Sequence, residues 1–134
     1  MKKESKARNV IRNSSDVYEF LKEPLADEEY ENLLMISLNQ AGVVKKVDWL
    51  TTGSDTSTVF STKQICRCAV MNNACGVIMV HNHPSGNTKP SKDDLESTRK
   101  LRQALNLFEI SLMDHVIIGG GNTGYYSMAD SEGM

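Results

Sequence analysis

The sequence lacks the features that define several large protein classes. Its three cysteines, Cys66, Cys68 and Cys75, are an odd number without a Cys-x-x-Cys pair, which favours a reduced protein over a disulfide scaffold. No apolar run approaches the ~20 residues that a membrane span needs, and the N-terminus has no apolar segment typical of a signal peptide. We therefore expect a cytoplasmic protein that does not associate with membranes.

The chain also lacks an excess of positive charge. Its formal net charge is -2, whereas phosphate binding needs a concentrated surplus of Lys and Arg, so we expect weak or no binding of nucleic acid by this domain. The basic cluster of the chain lies near its start and consists of Lys2, Lys3, Lys6, Arg8 and Arg12. Because this segment has no apolar periodicity, residues 1–13 are predicted to be a flexible tail. Residues 14–134 then form a single domain.

Two histidines follow a short apolar run. Residues 76–80 are rich in β-branched side chains and predict a buried strand that ends in His81 and His83. Side chains on a strand repeat every two residues, so both imidazoles project from the same face. A single metal ion could therefore bind both rings.

A carboxylate is predicted to reach these histidines from the next helix. Pro84, Gly86 and Pro90 break the chain into a loop, and Ser91 with Asp94 three residues later has the pattern of a capping box. The helix extends to about residue 106. One of its faces carries residues at helical spacing, namely Leu95, Thr98, Leu101 and Leu105. Its first turn, with Asp94, would lie over the end of the strand.

These three side chains have the composition of a catalytic zinc site. Two neutral imidazoles and one carboxylate, from His81, His83 and Asp94, leave one position of a tetrahedral Zn²⁺ open for water. Zinc lowers the pKa of such a water to about 7, which makes it a usable nucleophile. The expected cofactor is therefore Zn²⁺, in a hydrolytic site rather than a structural one.

The residues around this motif resemble the RadC branch of the JAMM (MPN-type) zinc metallopeptidase family. The similarity is carried by His-Asn-His-Pro-Ser-Gly at residues 81–86 and by Pro-Ser-x-x-Asp at residues 90–94. Segments 62–65, 73–74, 112–119 and 126–127 also resemble that family. The resemblance covers roughly residues 28–127.

The resemblance implies roles for two further residues. In JAMM proteins a glutamate on an earlier strand acts as the general base without binding the metal. The residue at the matching position of this chain is Glu31. An alignment shift of about one turn would select Glu28 or Glu29 instead. Ser91 is a helix cap on any interpretation, and the resemblance adds a role in holding the tetrahedral intermediate.

The resemblance also implies a fold. We expect an α/β protein with a three-layer MPN-type (cytidine-deaminase-like) architecture, in which a mixed central sheet is flanked by helices. Full-length RadC-like proteins carry a separate N-terminal helical region of DNA-binding type. This chain has no room for one, so we expect the catalytic domain alone.

The hydrophobic pattern predicts the individual elements. Helices are predicted at residues 15–22, where Pro24 ends the helix, and at 62–73 and 91–106. Strands are predicted at residues 33–38, 43–50, 76–81, 108–112, 116–118 and 125–126. Turns are predicted at residues 39–42 and 119–122, and a loop at 51–61. His115, beside Asp114, is interpreted either as a group near the site or as a structural histidine at the start of a strand.

Two functional hypotheses follow. The first is a zinc-dependent hydrolase, a metallopeptidase or isopeptidase, in which water attacks an amide bond of a peptide or protein substrate. The second is a nucleic-acid-linked module related to DNA repair, with a structural or vestigial metal site. The open ligand set and the candidate base favour the enzyme. The sequence indicates neither the identity of the substrate nor the oligomeric state.

Overall fold

The fold is built on one five-stranded sheet. The computed structural model describes residues 9–53 and 61–134. Over these residues the helices are α1 Ser14–Ala26, α2 Thr62–Met71, α3 Lys92–Asn106 and α4 Met128–Glu132. The strands are β1 Glu31–Leu38, β2 Val44–Gly53, β3 Gly76–His83, β4 Ser111–Gly119 and β5 Tyr125–Ser127.

The strand order, β2-β1-β3-β4-β5, places β3 at the centre of the sheet. β1 runs antiparallel to both β2 and β3, whereas β3 and β4 are parallel and are joined through α3. A parallel pair needs a crossover, and the helix supplies it. The C-terminal end of β3 therefore faces the start of α3, as the sequence predicted. The mixed sheet with helices on both faces is the expected three-layer α/β architecture.

Alternating side chains of the central strands fill two separate cores. On one face, Val77 and Met79 of β3 pack with residues of α2 and α3. On the other, Ile78 and Val80 pack against α1. Burial on both sides explains the uninterrupted apolar run before His81. Because side chains alternate along a strand, His81, two residues after Met79, projects from the same face as Met79, toward α3.

The predicted end of the first helix at Pro24 is wrong, because α1 continues to Ala26 with Pro24 inside it. Val17, Leu21 and Leu25 are spaced one helical turn apart and are all buried in the core. Proline removes one backbone donor from the helix. Burial of Leu25 offsets that loss, since its side chain reaches the core only if the last turn stays helical.

The predicted start of a strand at residue 108 is wrong, because residues 107–109 form a turn after α3. The rest of that predicted strand and the predicted strand at 116–118 belong to one strand, β4. The pairing with β3 contains a bulge, because Val77 pairs with Leu112 and Ile78 pairs with Asp114. The extra residue, Met113, is half exposed. A bulge shifts the alternation of side chains by one position. As a result His115 lies on the same face as Leu112 and points toward α3.

The other differences are at the ends of elements. β2 includes residues 51–53, so the predicted loop is shorter, and residues 54–60 lie outside the described residues. The predicted turn at 119–122 contains a short 3₁₀ helix, Gly120–Asn122. Helix α4 was not predicted, although Ser127 caps it by accepting a hydrogen bond from the amide of Asp130.

The predicted tail falls only partly within the described residues. Val10 forms a β-bridge with Val43, and the amide of Ile11 donates to the carbonyl of Gly42. Asn13 caps α1 through its side chain. The described residues that precede α1 therefore pack against the turn between β1 and β2. Separately, none of the helices in the described part of the chain combines the length and apolar character that crossing a membrane requires.

Candidate metal centre

The two histidines of β3 face each other at the end of the strand. Their Nε2 atoms are 3.0 Å apart, as expected for side chains two residues apart on one face of a strand. His81 is fully buried, whereas His83 is only partly buried. The pair therefore has one ring in the protein interior and one at the surface of a cleft.

The loop after β3 determines the tautomer of neutral His83. Its Nδ1 lies 2.6 Å from the backbone carbonyl of Asn87. A carbonyl can only accept a hydrogen bond, so Nδ1 carries the proton and Nε2 of the neutral ring has a lone pair. The turn after β4 supports this loop, because a Cβ on Gly120 would lie 2.7 Å from the carbonyl oxygen of Pro84. Glycine at that position lets the two backbones meet.

Glu31 reaches the same place from β1. In the antiparallel β1–β3 pair Leu33 lies opposite His81, so continuing the register by two residues places Glu31 opposite His83. One carboxylate oxygen of Glu31 and one ring nitrogen from each of His81 and His83 all lie within 4.8 Å of one another. The structure thus contains a cluster of three side chains that could hold a metal ion.

Asn82, between the two histidines, points to the opposite face and secures the backbone around Glu31. Its Oδ1 accepts from the amide of Asn32 at 2.6 Å, and its Nδ2 donates to the carbonyl of Tyr30 at 3.0 Å. Both bonds are to the residues that flank Glu31. Sequence reasoning missed this function of the middle residue of His-Asn-His. The signal was available in the alternation of side chains along β3.

The two alternative bases are placed differently. Glu28 accepts a hydrogen bond from the side chain of Asn32 at 3.2 Å. Glu29 lines the outer part of the cleft together with His83 and Lys89. Of the three acidic residues considered, Glu31 is the one whose carboxylate belongs to the cluster with both histidines.

Ser91 and Asp94 form the predicted capping box at the start of α3. The amide of Asp94 donates to Ser91 Oγ at 3.0 Å, and the amide of Ser91 donates to Asp94 Oδ2 at 2.9 Å. Asp94 is 4% exposed, and its Oδ2 lies 3.7 Å from His81 Nε2. The buried carboxylate therefore approaches the histidine pair from the helix, while Glu31 approaches it from β1.

These donors fit a zinc ion. Two nitrogens bound to one tetrahedral zinc at about 2.0–2.1 Å are roughly 3.3 Å apart, close to the 3.0 Å between the two Nε2 atoms. Imidazole and carboxylate are both ordinary zinc ligands. Metal ligation also needs a neutral imidazole. Burial supplies that state for His81, because desolvation lowers its pKa to about 4 despite the opposing effect of Asp94.

A third histidine supports the buried ring. His115 Nε2 lies 2.7 Å from His81 Nδ1, and His115 Nδ1 lies 2.6 Å from Thr98 Oγ1 on α3. Burial lowers the pKa of His115 well below its usual value. Of the two interpretations offered by the sequence, the contact with His81 places this residue near the site. Asp114 faces elsewhere, since its carboxylate accepts hydrogen bonds from the Ser127 hydroxyl and the Ala129 amide.

An open cleft leads to the cluster. Two adjoining cavities of about 290 and 350 Å³ share four residues, Glu31, His83, Asn87 and Lys89. Ser91 and Asp94 line the first of them. The structure thus brings all five predicted site residues to one end of the sheet. A molecule in the cleft would contact Glu31, His83 and the exposed cap residue Ser91.

The buried histidine makes the stability of the metal-free protein dependent on pH. His81 has a pKa of about 4 in the folded chain and about 6.5 when unfolded, so the unfolded chain binds more protons between these values. Stability should therefore fall as the pH falls below 6.5. From pH 7 to pH 5 the loss from this group is about 2 kcal/mol, and His115 adds to it in the same direction.

Urea unfolding of the metal-free protein at pH 7 and pH 5 measures this loss. The window stays above the usual pKa of carboxyl groups. His81→Asn is the matched comparison, since it should have a flatter dependence on pH than the unchanged chain. Equal free energies of unfolding at the two pH values would contradict the burial of a neutral His81.

A mixed α/β sheet whose central strand ends in a histidine pair, flanked by two carboxylates, defines a candidate metal-binding domain. Comparison with known proteins gives its family. The RadC-like JAB domain family matches residues 11–134, and the chain belongs to that family. The resemblance found in the motifs of residues 81–94 is therefore confirmed.

Curated relatives agree with this assignment. The chain is 36% identical over 121 residues to a UPF0758 protein of Chlorobium phaeovibrioides, a match that covers 90% of this chain and 53% of the relative. It is 33% identical over 109 residues to a UPF0758 protein of Staphylococcus epidermidis, covering 81% and 48%. A third relative, from Moorella thermoacetica, is 35% identical over 115 residues, covering 86% and 50%. The chain thus spans about half the length of these relatives.

Proposed function

We propose that this domain is a zinc-dependent hydrolase of the JAMM type that cleaves an amide bond in a peptide or protein. The observation that carries the proposal is the cluster of Glu31, His81 and His83, whose ligand atoms all lie within 4.8 Å of one another. Asp94 completes the proposed ligand set with the two histidines. This set leaves a coordination position open, as catalytic zinc sites do.

The bound zinc would supply Lewis acidity, which polarises a carbonyl group and lowers the pKa of water. Glu31, partly exposed at the cleft, is the proposed general base. It would take a proton from the attacking water and deliver it to the leaving amine. Asn82 holds the backbone on both sides of Glu31, so the carboxylate keeps its position relative to the histidines.

Ser91 is the proposed donor to the developing oxyanion. Its Oγ accepts a hydrogen bond from the Asp94 amide. A hydroxyl that accepts in this way keeps its own proton for donation. Because Ser91 lines the same cavity as Glu31 and His83, that proton can be directed at a substrate carbonyl. The helix cap and the catalytic donor are thus compatible roles of one side chain.

Release of new amino groups tests this function. The probe is a complex mixture of peptides whose amino groups have been blocked chemically, so any amide cleavage exposes a new amine. The metal-free protein should release none, addition of zinc should start release, and a chelator should stop it. Mass spectrometry of the new termini would identify the bond that is cut.

A parallel assay with DNA distinguishes the hydrolase from the nucleic-acid alternative. Duplex DNA is incubated with the zinc-loaded protein in parallel with the peptides. Weak binding that falls steeply with salt is expected from the net charge of -2. DNA cutting that requires zinc, together with no amine release, would overturn the proposal in favour of a nucleic-acid function.

A further inference from the structure

Three consecutive hydrogen bonds lead from the candidate metal centre into the core. They join Thr98 Oγ1 to His115 Nδ1, His115 Nε2 to His81 Nδ1, and His81 Nε2 to His83 Nε2, over 2.6, 2.7 and 3.0 Å. Thr98, His81 and His115 are each 0–2% exposed, so bulk water does not replace a missing partner. Each hydrogen bond contains one proton. Because a neutral histidine donates from one nitrogen and accepts at the other, the direction of one hydrogen bond determines the direction of the next.

Without a metal, His83 sets the direction of this chain of bonds. Its Nδ1 donates to the carbonyl of Asn87, so its Nε2 can only accept in the neutral ring. His81 must then donate from Nε2 to His83, and Asp94 Oδ2 lies 3.7 Å from the same nitrogen. It follows that His81 Nδ1 accepts from His115 Nε2. His115 Nδ1 in turn accepts from the hydroxyl of Thr98.

A metal ion held by Nε2 of His81 and Nε2 of His83 would replace the hydrogen bond between these two rings and reverse the other two links. Ligation requires the lone pair of His81 Nε2, so the proton of the neutral ring moves to Nδ1. His81 then donates to His115 Nε2, and His115 donates from Nδ1 to Thr98 Oγ1. Each ring exchanges one N–H for the other and Thr98 keeps its proton, so no proton is taken up or released and no charge changes.

We propose that His115 is a positioning residue whose tautomer switches when His81 binds a metal ion. In the metal-free protein the proton of His115 is on Nε2, and in the metal-bound protein it is on Nδ1. The ring is suited to this role because it can donate at one nitrogen and accept at the other in either state. The inference rests on the metal site of the proposed function, although it does not need hydrolysis.

Nitrogen NMR of the histidine rings tests the switch directly. Protonated and unprotonated ring nitrogens have well-separated ¹⁵N frequencies, so the spectrum identifies the tautomer of each of the three histidines. On titration of the metal-free protein with zinc alone, the two nitrogens of His115 should exchange their frequencies. The nitrogens of His83 should show a metal-bound Nε2 and an unchanged N–H at Nδ1. Identical His115 tautomers before and after zinc loading would overturn the proposal.

Two variants test the positioning role. In His115→Phe the N–H of metal-bound His81 loses its acceptor in the core, so zinc affinity should fall by about 10- to 100-fold. In His115→Gln the amide oxygen can accept a hydrogen bond from that N–H, so zinc affinity should return to within a few-fold of the unchanged chain. Competition against a chelating dye measures both affinities. Wild-type affinity in His115→Phe would contradict the role.

The switch can be tested even if a substitution of His115 prevents folding. Circular dichroism of the metal-free variants shows whether each is folded, and the NMR titration of the unchanged chain needs no variant. If the tautomer switches but no amines are released, the result supports the tautomer switch and contradicts the proposed hydrolase. Absence of zinc binding would contradict both the tautomer switch and the hydrolase.

Discussion

His83→Ala should lower the zinc content of the purified protein from about one ion per chain to nearly none. A zinc site with three protein ligands depends on each of them, and the other ring, His81, cannot hold the ion with one carboxylate alone. Amine release from blocked peptides should be abolished with the metal. Elemental analysis of the dialysed protein measures the stoichiometry, and the peptide assay measures the activity.

His83 is the better of the two histidines for this experiment. It is partly exposed and lies at the end of β3, so its removal leaves the core intact. His81 is fully buried and bonded to His115, and its removal would also affect folding through an unsatisfied partner. Glu29→Gln is the matched control, since Glu29 lines the cleft outside the cluster. Stoichiometric zinc in the His81→Ala, His83→Ala double variant would place the metal elsewhere.

Local patterns were sufficient to predict much of this site. The period of two along β3 placed His81 and His83 on one face, and the spacing of Ser91 and Asp94 predicted a capping box that the structure contains. Both depend only on residues close in sequence. They also predicted that α3 begins beside the end of β3, because a short loop joins them.

Features that depend on pairing between distant segments were not predictable in the same way. The bulge at Met113 is visible only in the register of β4 against β3, and without it the pattern of residues 108–118 divides into two strands. The direction of the His115 ring follows from that bulge. Its contact with His81 therefore could not be derived from spacing, although the sequence marked His115 as a candidate near the site.

The placement of Glu31 combines both kinds of information. Family resemblance selected it from three neighbouring acidic residues, and the register of β1 against β3, continued by two residues, places it opposite His83, with which it shares the cluster. The same cluster leaves two chemical roles to be separated, because the carboxylate is close enough to the histidines to ligate a metal. The spacing of residues 81–94 assigns the ligand role to Asp94, and the family resemblance assigns the base role to Glu31. The two roles predict different properties for one substitution.

Glu31→Gln should keep zinc and lose hydrolysis. The amide is nearly the same size as the carboxylate but cannot take a proton from water, and removal of a general base lowers rates by about 10²- to 10⁴-fold. Zinc stoichiometry should stay near one ion per chain, because His81, His83 and Asp94 remain. Elemental analysis and the blocked-peptide assay, applied to one preparation, measure both properties.

The control variants make the assignment specific to Glu31. Glu28→Gln changes a carboxylate that bonds Asn32, and Glu29→Gln changes one at the outer cleft, so both should retain hydrolysis within a few-fold. Loss of zinc in Glu31→Gln would make Glu31 a metal ligand and remove it as the base. An unchanged rate in Glu31→Gln with a large loss in Glu28→Gln or Glu29→Gln would transfer the base role to that neighbour. The expected result, full zinc with little hydrolysis in Glu31→Gln alone, requires a carboxylate that acts on water rather than on the metal.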